Sequence, residues 1–202
     1  MYPTDSPAAA LVVAHGAGAG QASPFMVRTA SGLAGRGVIA ATFDFAYIAA
    51  GKHVPDRTDA LERRWREAIE EARATFGGLP LYIGGKSMGG RIATHVAAQD
   101  SDGIAGVVLL GYPLHPPGKP DQRRDAHLPS VAAPMLFVQG SRDAFGTADE
   151  IRALLPRLQR ATLHEVSGGD HSFKIAGRGA PKPDTVLNGV LDAVRDWIAA
   201  QG

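Results

Sequence analysis

The chain has 202 residues, of which 45% are hydrophobic and 20% are charged, and its formal net charge is +1. This composition is typical of a globular protein, and the small net charge gives no sign of a nucleic-acid or membrane surface. The length suits one domain, residues 1–202, with a full hydrophobic core. Cysteine is absent, which excludes disulfides, thiolate metal sites and a cysteine nucleophile.

Targeting signals are not evident in the sequence. The apolar stretch Ala8–Ala14 lacks a basic region before it and runs straight into a glycine loop, so it is better interpreted as a strand than as a signal peptide. No apolar run approaches the roughly 20 residues that span a bilayer. We therefore expect a cytoplasmic protein with neither a membrane nor a nucleic acid as partner.

Six apolar segments predict strands, and most are continuous rather than alternating, as expected for parallel strands buried on both faces. The segments are Ala9–Val13, Val38–Phe43, Leu79–Ile83, Ile104–Leu110, Pro134–Gln139 and Ala161–Val166.

Helical segments lie between the predicted strands. Ser23 is predicted to be the N-cap of the first, with Pro24 at its first position, and a longer helix starts near Pro55. Pro156 should disturb a short helix late in the chain, and Asp184 is predicted to cap the last helix. Alternating strands and helices predict an α/β fold with a mostly parallel sheet and helices on both faces.

The longest irregular segment is Gly111–Pro134, which is rich in Pro, Gly and His. Such a long loop in a compact domain is usually functional. We expect it to be the main roof of a shallow pocket, since the chain is too short for a large inserted cap. A shallow pocket favours short or compact ligands.

The motif Gly85-Lys86-Ser87-Met88-Gly89 is a G-x-S-x-G pattern between an apolar strand and a helix-compatible segment. This context predicts a nucleophile elbow, in which a strained turn presents the serine and glycines let strand and helix approach each other. The alternative, in which Ser87 only caps the following helix, does not account for the flanking glycines.

Two further residues complete a candidate catalytic triad with Ser87. Asp143 and His171 each follow a predicted strand, in the chain order Ser, Asp, His that α/β-hydrolases use. Asp149 is the nearest alternative acid. Asp170 adjoins His171 and is interpreted as organising the loop.

The glycine-rich loop after the first strand predicts half of an oxyanion hole. Its donor would be the backbone N–H of Ala17, with Gly16 or Gly18 as alternatives, and the N–H of Met88 would be the second donor. His15 is expected to orient this loop by hydrogen bonds to backbone.

Substrate contacts are predicted from two loops, at Gly16 and Gly18 in the first and at Tyr112 and His115 in the second. His127 is another candidate for the pocket lining. The histidines lack metal-ligand spacing, and the glycine loop matches neither dinucleotide nor phosphate-binding motifs. We therefore predict no metal and no cofactor.

Several segments together resemble one small α/β-hydrolase family: His15–Gly18, Ser23–Met26, Gly84–Arg91, Gly111–Lys119 and Asp170–Phe173. This family includes bacterial predicted hydrolases related to dienelactone hydrolases, the testis-expressed hydrolase-like protein and a subunit of the animal NSL chromatin complex. The Gly-Tyr-Pro-x-His-Pro-Pro-Gly-Lys block is the most specific part of the resemblance.

The resemblance implies an α/β-hydrolase fold, a minimal three-layer sandwich with a mostly parallel sheet of about six strands and no large cap domain. It also implies Ser87, Asp143 and His171 as the triad. True dienelactone hydrolases use a cysteine, so the serine here argues against dienelactone as the substrate.

The expected activity is that of a serine hydrolase that cleaves a small ester or thioester through an acyl-enzyme. Acyl transfer to an acceptor other than water would use the same residues. A non-catalytic binding or complex-subunit module is the alternative from another class, because a fold does not fix a function.

Overall fold

The computed structural model describes residues 1–202 and contains six strands. These are β1 (Ala9–Ala14), β2 (Val38–Phe43), β3 (Leu81–Lys86), β4 (Gly106–Leu110), β5 (Met135–Gly140) and β6 (Ala161–Val166). They form one sheet in the order β2-β1-β3-β4-β5-β6, and every neighbouring pair is parallel. The predicted α/β class, strand number and parallel pairing are confirmed.

Six α-helices lie between the strands and after the last one. They are α1 (Pro24–Ala34), α2 (Ala46–Ala49), α3 (Thr58–Thr75), α4 (Met88–Gln99), α5 (Ala148–Arg152) and α6 (Pro183–Ala199). Two short 3₁₀ helices cover Leu128–Ser130 and Leu155–Arg157. None of the helices is long and apolar enough to cross a membrane.

The central strands β1, β3, β4 and β5 are buried on both faces because they are apolar at nearly every position. In β1, Ala10 and Val12 pack in a core that α3 and α4 cover, whereas Leu11 and Val13 pack in a second core that α1 and α6 cover. The two cores make a three-layer sandwich, and no inserted domain covers it. This arrangement agrees with the predicted minimal fold without a large cap.

The side of the sheet on which successive strands are added changes after β1 and β2. The chain first adds β2 on one side of β1, then crosses back to place β3 on the other side. Loops that follow β1 and β3 therefore diverge at the carboxyl edge of the sheet and leave a crevice between them. Parallel sheets bind ligands at such a point, and here the crevice lies between the glycine loop and Ser87.

Strand β3 extends further than the apolar pattern predicts, to Lys86 rather than Ile83. Its last residues lack apolar side chains but still pair, Gly84 with Val108 and Lys86 with Leu110. The pattern missed them because backbone hydrogen bonds, rather than side-chain burial, hold this end of the strand.

Helix starts differ from the predictions in two places. The final helix begins at Pro183 with Lys182 as N-cap, so the prediction that Asp184 caps it is wrong. Proline suits the first helical position because its missing N–H is not needed there, and Asp184 instead lies in the first turn, paired with Arg28. The third helix begins at Thr58 rather than near Pro55.

The predicted short helix late in the chain ends at Arg152, and Pro156 lies in a separate 3₁₀ turn, as the disturbance by proline predicts. Its start was missed. The Thr147 side chain accepts from the Glu150 N–H, and the Glu150 carboxylate accepts from the Thr147 N–H. This reciprocal capping box satisfies two otherwise free donors.

Gly84→Ala is expected to destabilise the fold. A Cβ at this position would overlap the backbone carbonyl of Val108 on the neighbouring strand, and a strand cannot move aside without breaking its pairing. We expect a loss of at least about 2 kcal/mol in the free energy of unfolding, measured by urea denaturation. Gly189→Ala is the control, because nothing lies within 4 Å of its added Cβ, and it should be neutral or slightly stabilising. Equal effects of the two substitutions would contradict the argument.

Candidate active site

Ser87 lies at the turn between β3 and α4 in a conformation that few residues other than glycine adopt, with φ 49° and ψ −117°. Its side chain makes no capping hydrogen bond to α4, which excludes the helix-cap interpretation. The turn is held by backbone: the Ser87 N–H donates to Leu110 O at 3.1 Å. Backbone strain of this kind persists only where surrounding structure enforces it.

The flanking glycines are required by close packing of backbone. A Cβ on Gly85 would overlap Ala14 O, and a Cβ on Gly89 would lie 2.6 Å from the carbonyl oxygens of Ala14 and His15. The elbow therefore presses directly against the end of β1. This contact places Ser87 beside the glycine loop.

The structure brings the three predicted triad residues together. Ser87 Oγ lies 2.9 Å from His171 Nε2, and His171 Nδ1 lies 2.8 Å from Asp143 Oδ2. Ser87 and His171 are separated by 84 positions in the chain and meet because β3 and β6 end at the same edge of the sheet. A serine, an imidazole and a carboxylate in hydrogen-bonding sequence are the groups that nucleophilic catalysis needs.

Asp143 is almost completely buried, with 1% exposure, and its carboxylate accepts two further hydrogen bonds. Phe145 N–H donates to Oδ1 at 2.8 Å, and Gln139 Nε2 donates to Oδ2 at 3.0 Å. Gln139 is itself fixed, because its Oε1 accepts from Tyr112 N–H at 2.8 Å. These bonds fix the carboxylate that faces His171.

The alternative acid, Asp149, points into solvent with 88% of its side chain exposed and pairs with Arg152. Asp170 has the loop-organising position expected of it. Its Oδ1 accepts from the N–H groups of Ser172 and Lys174, at 2.8 and 2.9 Å. Neither carboxylate hydrogen-bonds to His171.

The glycine loop after β1 is oriented by a buried histidine. His15 Nδ1 donates to Gly16 O at 2.8 Å, and its Nε2 accepts from Phe45 N–H at 3.2 Å. Burial lowers the pKa of His15, which agrees with a neutral ring that both donates and accepts. The predicted hydrogen bonds from this histidine to backbone are present.

The N–H groups of Ala17 and Met88 both line the crevice and donate to no group of the protein. Met88 is the first residue of α4, so its N–H has no partner within the helix. The N–H of Gly18 is less available, because it lies 3.4 Å from the Tyr47 hydroxyl. Two free donors therefore flank Ser87.

A cavity of about 800 Å³ opens over Ser87 and His171. Its lining includes Gly16 but not Gly18, whose contact with substrate stays a prediction. The walls come mainly from the start of α1, the segment before and within α3, and the loop after His171.

The long loop is not the roof that the sequence predicts, since only Pro113 and Arg124 of it line the cavity. Tyr112 and His115 are buried behind it, with 1% and 6% exposure, so their predicted contact with substrate is wrong. The Tyr112 hydroxyl donates to Arg124 O at 2.6 Å. These polar side chains hold the loop together from inside.

The rings of His115 and His127 likewise make contacts with other side chains of the protein. His115 Nε2 lies 3.1 Å from Glu150 Oε1, and His127 Nε2 lies 2.8 Å from Thr94 Oγ1. Neither lines the cavity. A loop histidine that points inwards cannot be told from one that points outwards by its position in the sequence.

Lys86 was missed as a site residue. Its ammonium donates to the backbone oxygen of His171 and lies 5.4 Å from the centre of the Phe173 ring. Burial lowers the pKa of Lys86 to about 8, although the carboxylates of Asp143 and Asp170 act in the opposite direction. Its position inside the elbow motif, beside the nucleophile, was the available signal.

Gln139 and Phe145 were missed as well. Gln139 is the one fully buried amide among the apolar residues of β5. Phe145 packs against the His171 ring with a centroid distance of 4.3 Å. A polar residue inside an apolar strand was a usable signal, whereas the contact of Phe145 depends on the tertiary fold.

Residues 7–199 match the sequence profile of a family described as the alpha/beta hydrolase domain. The chain belongs to the alpha/beta hydrolase family. The predicted fold of this family is thereby confirmed, and it agrees with the parallel sheet and the elbow described above.

Solved structures share this fold at low sequence identity. Est1E from Butyrivibrio proteoclasticus, solved with ferulic acid, has a TM-score of 0.75 at 16% identity, covering 100% of this chain and 93% of its own. A dienelactone hydrolase from Anabaena variabilis has a TM-score of 0.76 at 22% sequence identity, and the match covers 98% of this chain and 88% of the hydrolase. A monoacylglycerol lipase from Paleococcus ferrophilus has a TM-score of 0.73 at 18% sequence identity, and the match covers 100% of this chain and 97% of the lipase.

The stability contribution of Lys86 should depend on pH. Its pKa is about 8 in the folded protein against 10.5 for an ordinary lysine, so between these values the unfolded chain binds the proton more tightly. Folded-state stability then rises as the pH rises through this window. The free energy of unfolding of wild type minus that of Lys86→Met should increase by about 1–3 kcal/mol from pH 8 to pH 10.5.

Urea denaturation at several pH values measures this difference, and subtracting the variant cancels the titration of tyrosines and other lysines. A difference that stays constant across the window would show that Lys86 titrates normally.

Proposed function

We propose that this protein is a serine hydrolase that cleaves a small ester or thioester through an acyl-enzyme intermediate. The observation that carries the proposal is the chain of hydrogen bonds Ser87–His171–Asp143, which opens onto a cavity between two free backbone N–H donors. A serine that only packs in the core or caps a helix would not need this combination of hydrogen bonds, cavity and free donors.

In the first step His171 Nε2 accepts the proton of the Ser87 hydroxyl as Ser87 Oγ attacks the carbonyl carbon. The distance of 2.9 Å between these atoms suits direct transfer. Asp143 accepts from His171 Nδ1, which fixes the tautomer and stabilises the imidazolium that forms. The protonated His171 then donates to the leaving alcohol or thiol.

The negative charge on the substrate oxygen is proposed to lie between the N–H groups of Ala17 and Met88. Each donor of this kind contributes roughly 3 kcal/mol to transition-state stabilisation. Water activated by His171 then attacks the acyl-enzyme, and Ser87 leaves with its proton restored. Hydrolysis of the acyl-enzyme is proposed over transfer to another acceptor, for which no acceptor site is evident.

The solved relatives support ester chemistry as the reaction type. These neighbours are Est1E with ferulic acid bound, a dienelactone hydrolase and a monoacylglycerol lipase. The cavity volume of about 800 Å³ lies in the upper part of the range of ligand pockets. Because Phe25, Phe145 and Phe173 line it, bulky or aromatic ester groups fit as well as the compact ones expected from the sequence.

The closer kinship with the testis-expressed hydrolase-like protein and the NSL subunit stays a prediction. A non-catalytic role, as in a complex subunit, would not require Ser87 to react.

A fluorophosphonate probe should label the wild-type protein at neutral pH. Ser87→Ala should abolish labelling because the nucleophile is removed, and His171→Ala should reduce it at least about 100-fold because the base is removed. Gel fluorescence and intact mass spectrometry measure the labelled fraction. An unlabelled wild-type protein, folded by circular dichroism, would favour the non-catalytic alternative.

Asp143→Asn should lower kcat for p-nitrophenyl acetate between about 10² and 10⁴-fold, because an amide cannot stabilise the imidazolium. Asp149→Asn is the matched control, since Asp149 lies 88% exposed and its loss should change kcat less than about twofold. Steady-state kinetics at pH 7.5 would compare them. A larger effect at Asp149 would exchange the roles assigned to the two carboxylates.

A further inference from the structure

The cavity over Ser87 is lined mostly by positive charges, although the whole chain is nearly neutral. Five basic side chains face it, against a single carboxylate from Asp56. They are Arg28, Lys86, Arg91, Arg124 and Lys174. The sheet edge therefore presents a positive cavity in a protein with a formal net charge of +1.

Not all of these cations are free to bind a ligand. Arg28 pairs with Asp184, and the ammonium of Lys86 donates to His171 O. Arg91 and Arg124 differ, because no carboxylate oxygen lies within 4.0 Å of either guanidinium. Two partly buried arginines without an acidic partner are an unusual arrangement, since buried charges are normally paired.

Arg91 is oriented without being neutralised. Its guanidinium donates to His95 Nε2 at 3.3 Å, and His95 Nδ1 in turn donates to Glu62 Oε1 at 3.2 Å. Burial, together with the charge of Arg91, lowers the pKa of His95, which agrees with the neutral ring that this pattern needs. Glu62 is occupied by Arg66 and Gln99 as well.

Arg91 also stands close to the nucleophile. Its backbone N–H donates to the backbone oxygen of Ser87 at 3.0 Å, one turn earlier in the chain, and both residues line the cavity. One substrate molecule in this cavity can therefore contact both residues.

Arg124 is fixed through its backbone, which leaves its side chain free. Its N–H donates to Leu114 O at 2.9 Å, and its carbonyl accepts from the Tyr112 hydroxyl at 2.6 Å. The guanidinium has no hydrogen-bond partner in the protein, and its charge acts with burial to lower the pKa of Arg91. An anion between them would relieve this repulsion.

We propose that Arg91 and Arg124 bind an anionic group of the substrate, a carboxylate or a phosphate, while Ser87 attacks an ester bond elsewhere in the same molecule. Guanidinium groups match both anions with paired N–H donors. The proposal rests on the proposed hydrolase function and adds the substrate class to it.

The kinetic test compares two p-nitrophenyl esters of glutarate. In one the second carboxylate is free and charged, and in the other it is a neutral methyl ester. In wild type the ratio of kcat/KM, charged over neutral, should exceed one by about tenfold or more. Arg91→Met and Arg124→Met should each lower this ratio by about tenfold. A general loss of activity lowers kcat/KM for both esters equally, so it cancels in the ratio.

Arg63→Met is the matched control. Arg63 is exposed on α3, is in no ion pair and lies outside the cavity, and its substitution removes the same charge. The ratio and the activity should not change. A wild-type ratio of one or less, or equal ratios in all four proteins, would overturn the proposal.

Arg91 hydrogen-bonds to His95, so Arg91→Met is expected to lower the melting temperature, and thermal melting accompanies the kinetics. Arg124→Met has no hydrogen bond to lose and tests the proposal by itself. Arg91→Lys retains the charge and should recover part of the ratio.

Binding can be measured without catalysis in the Ser87→Ala protein. Glutarate or inorganic phosphate should raise its melting temperature, and adding Arg124→Met should remove the rise. The more effective anion identifies the chemistry, carboxylate or phosphate, and no shift with either would oppose the proposal. Anion binding here with no hydrolysis of either ester by wild type would instead overturn the proposed function alone.

Discussion

The contact on which this site depends is the backbone approach of the elbow to the end of β1. Gly85 and Gly89 lie against the carbonyl oxygens of Ala14 and His15, so closely that no side chain fits between them. This approach forces Ser87 into its left-handed conformation and sets it beside the glycine loop. One packing constraint thus fixes the position of the serine and the distance to the free N–H groups.

Charges around the elbow are arranged in two layers. The triad carboxylate, Asp143, is buried and held by amide donors from Gln139 and Phe145. Around the cavity, cations predominate, and Arg91 is held by the neutral ring of His95 rather than by a carboxylate. The protein therefore keeps negative charge behind the imidazole and positive charge in front of it, where an anionic substrate would lie.

The sequence predicted the sheet well, because parallel strands buried on both faces are continuous apolar runs. It predicted Ser87, Asp143 and His171 as neighbours, because each follows a strand and strand ends meet at one edge. It failed for Tyr112 and His115, which are in the long loop but face inwards. A loop has no periodicity from which the direction of a side chain could be read. The predicted cap of α6 was wrong because Pro183 and Asp184 are both good residues for a helix start.

By itself, the sequence determined the α/β architecture, the elbow and the identities of the residues that meet there. These follow from local rules: apolar runs, glycine spacing and the order of residues along the chain. Only the tertiary structure decided what lines the cavity and which charges remain unpaired. Lys86 reaches the His171 backbone, and Arg124 lines the same cavity as Ser87, through packing between segments far apart in the chain. Pairing of charges is a property of distances in space, which residue spacing does not encode.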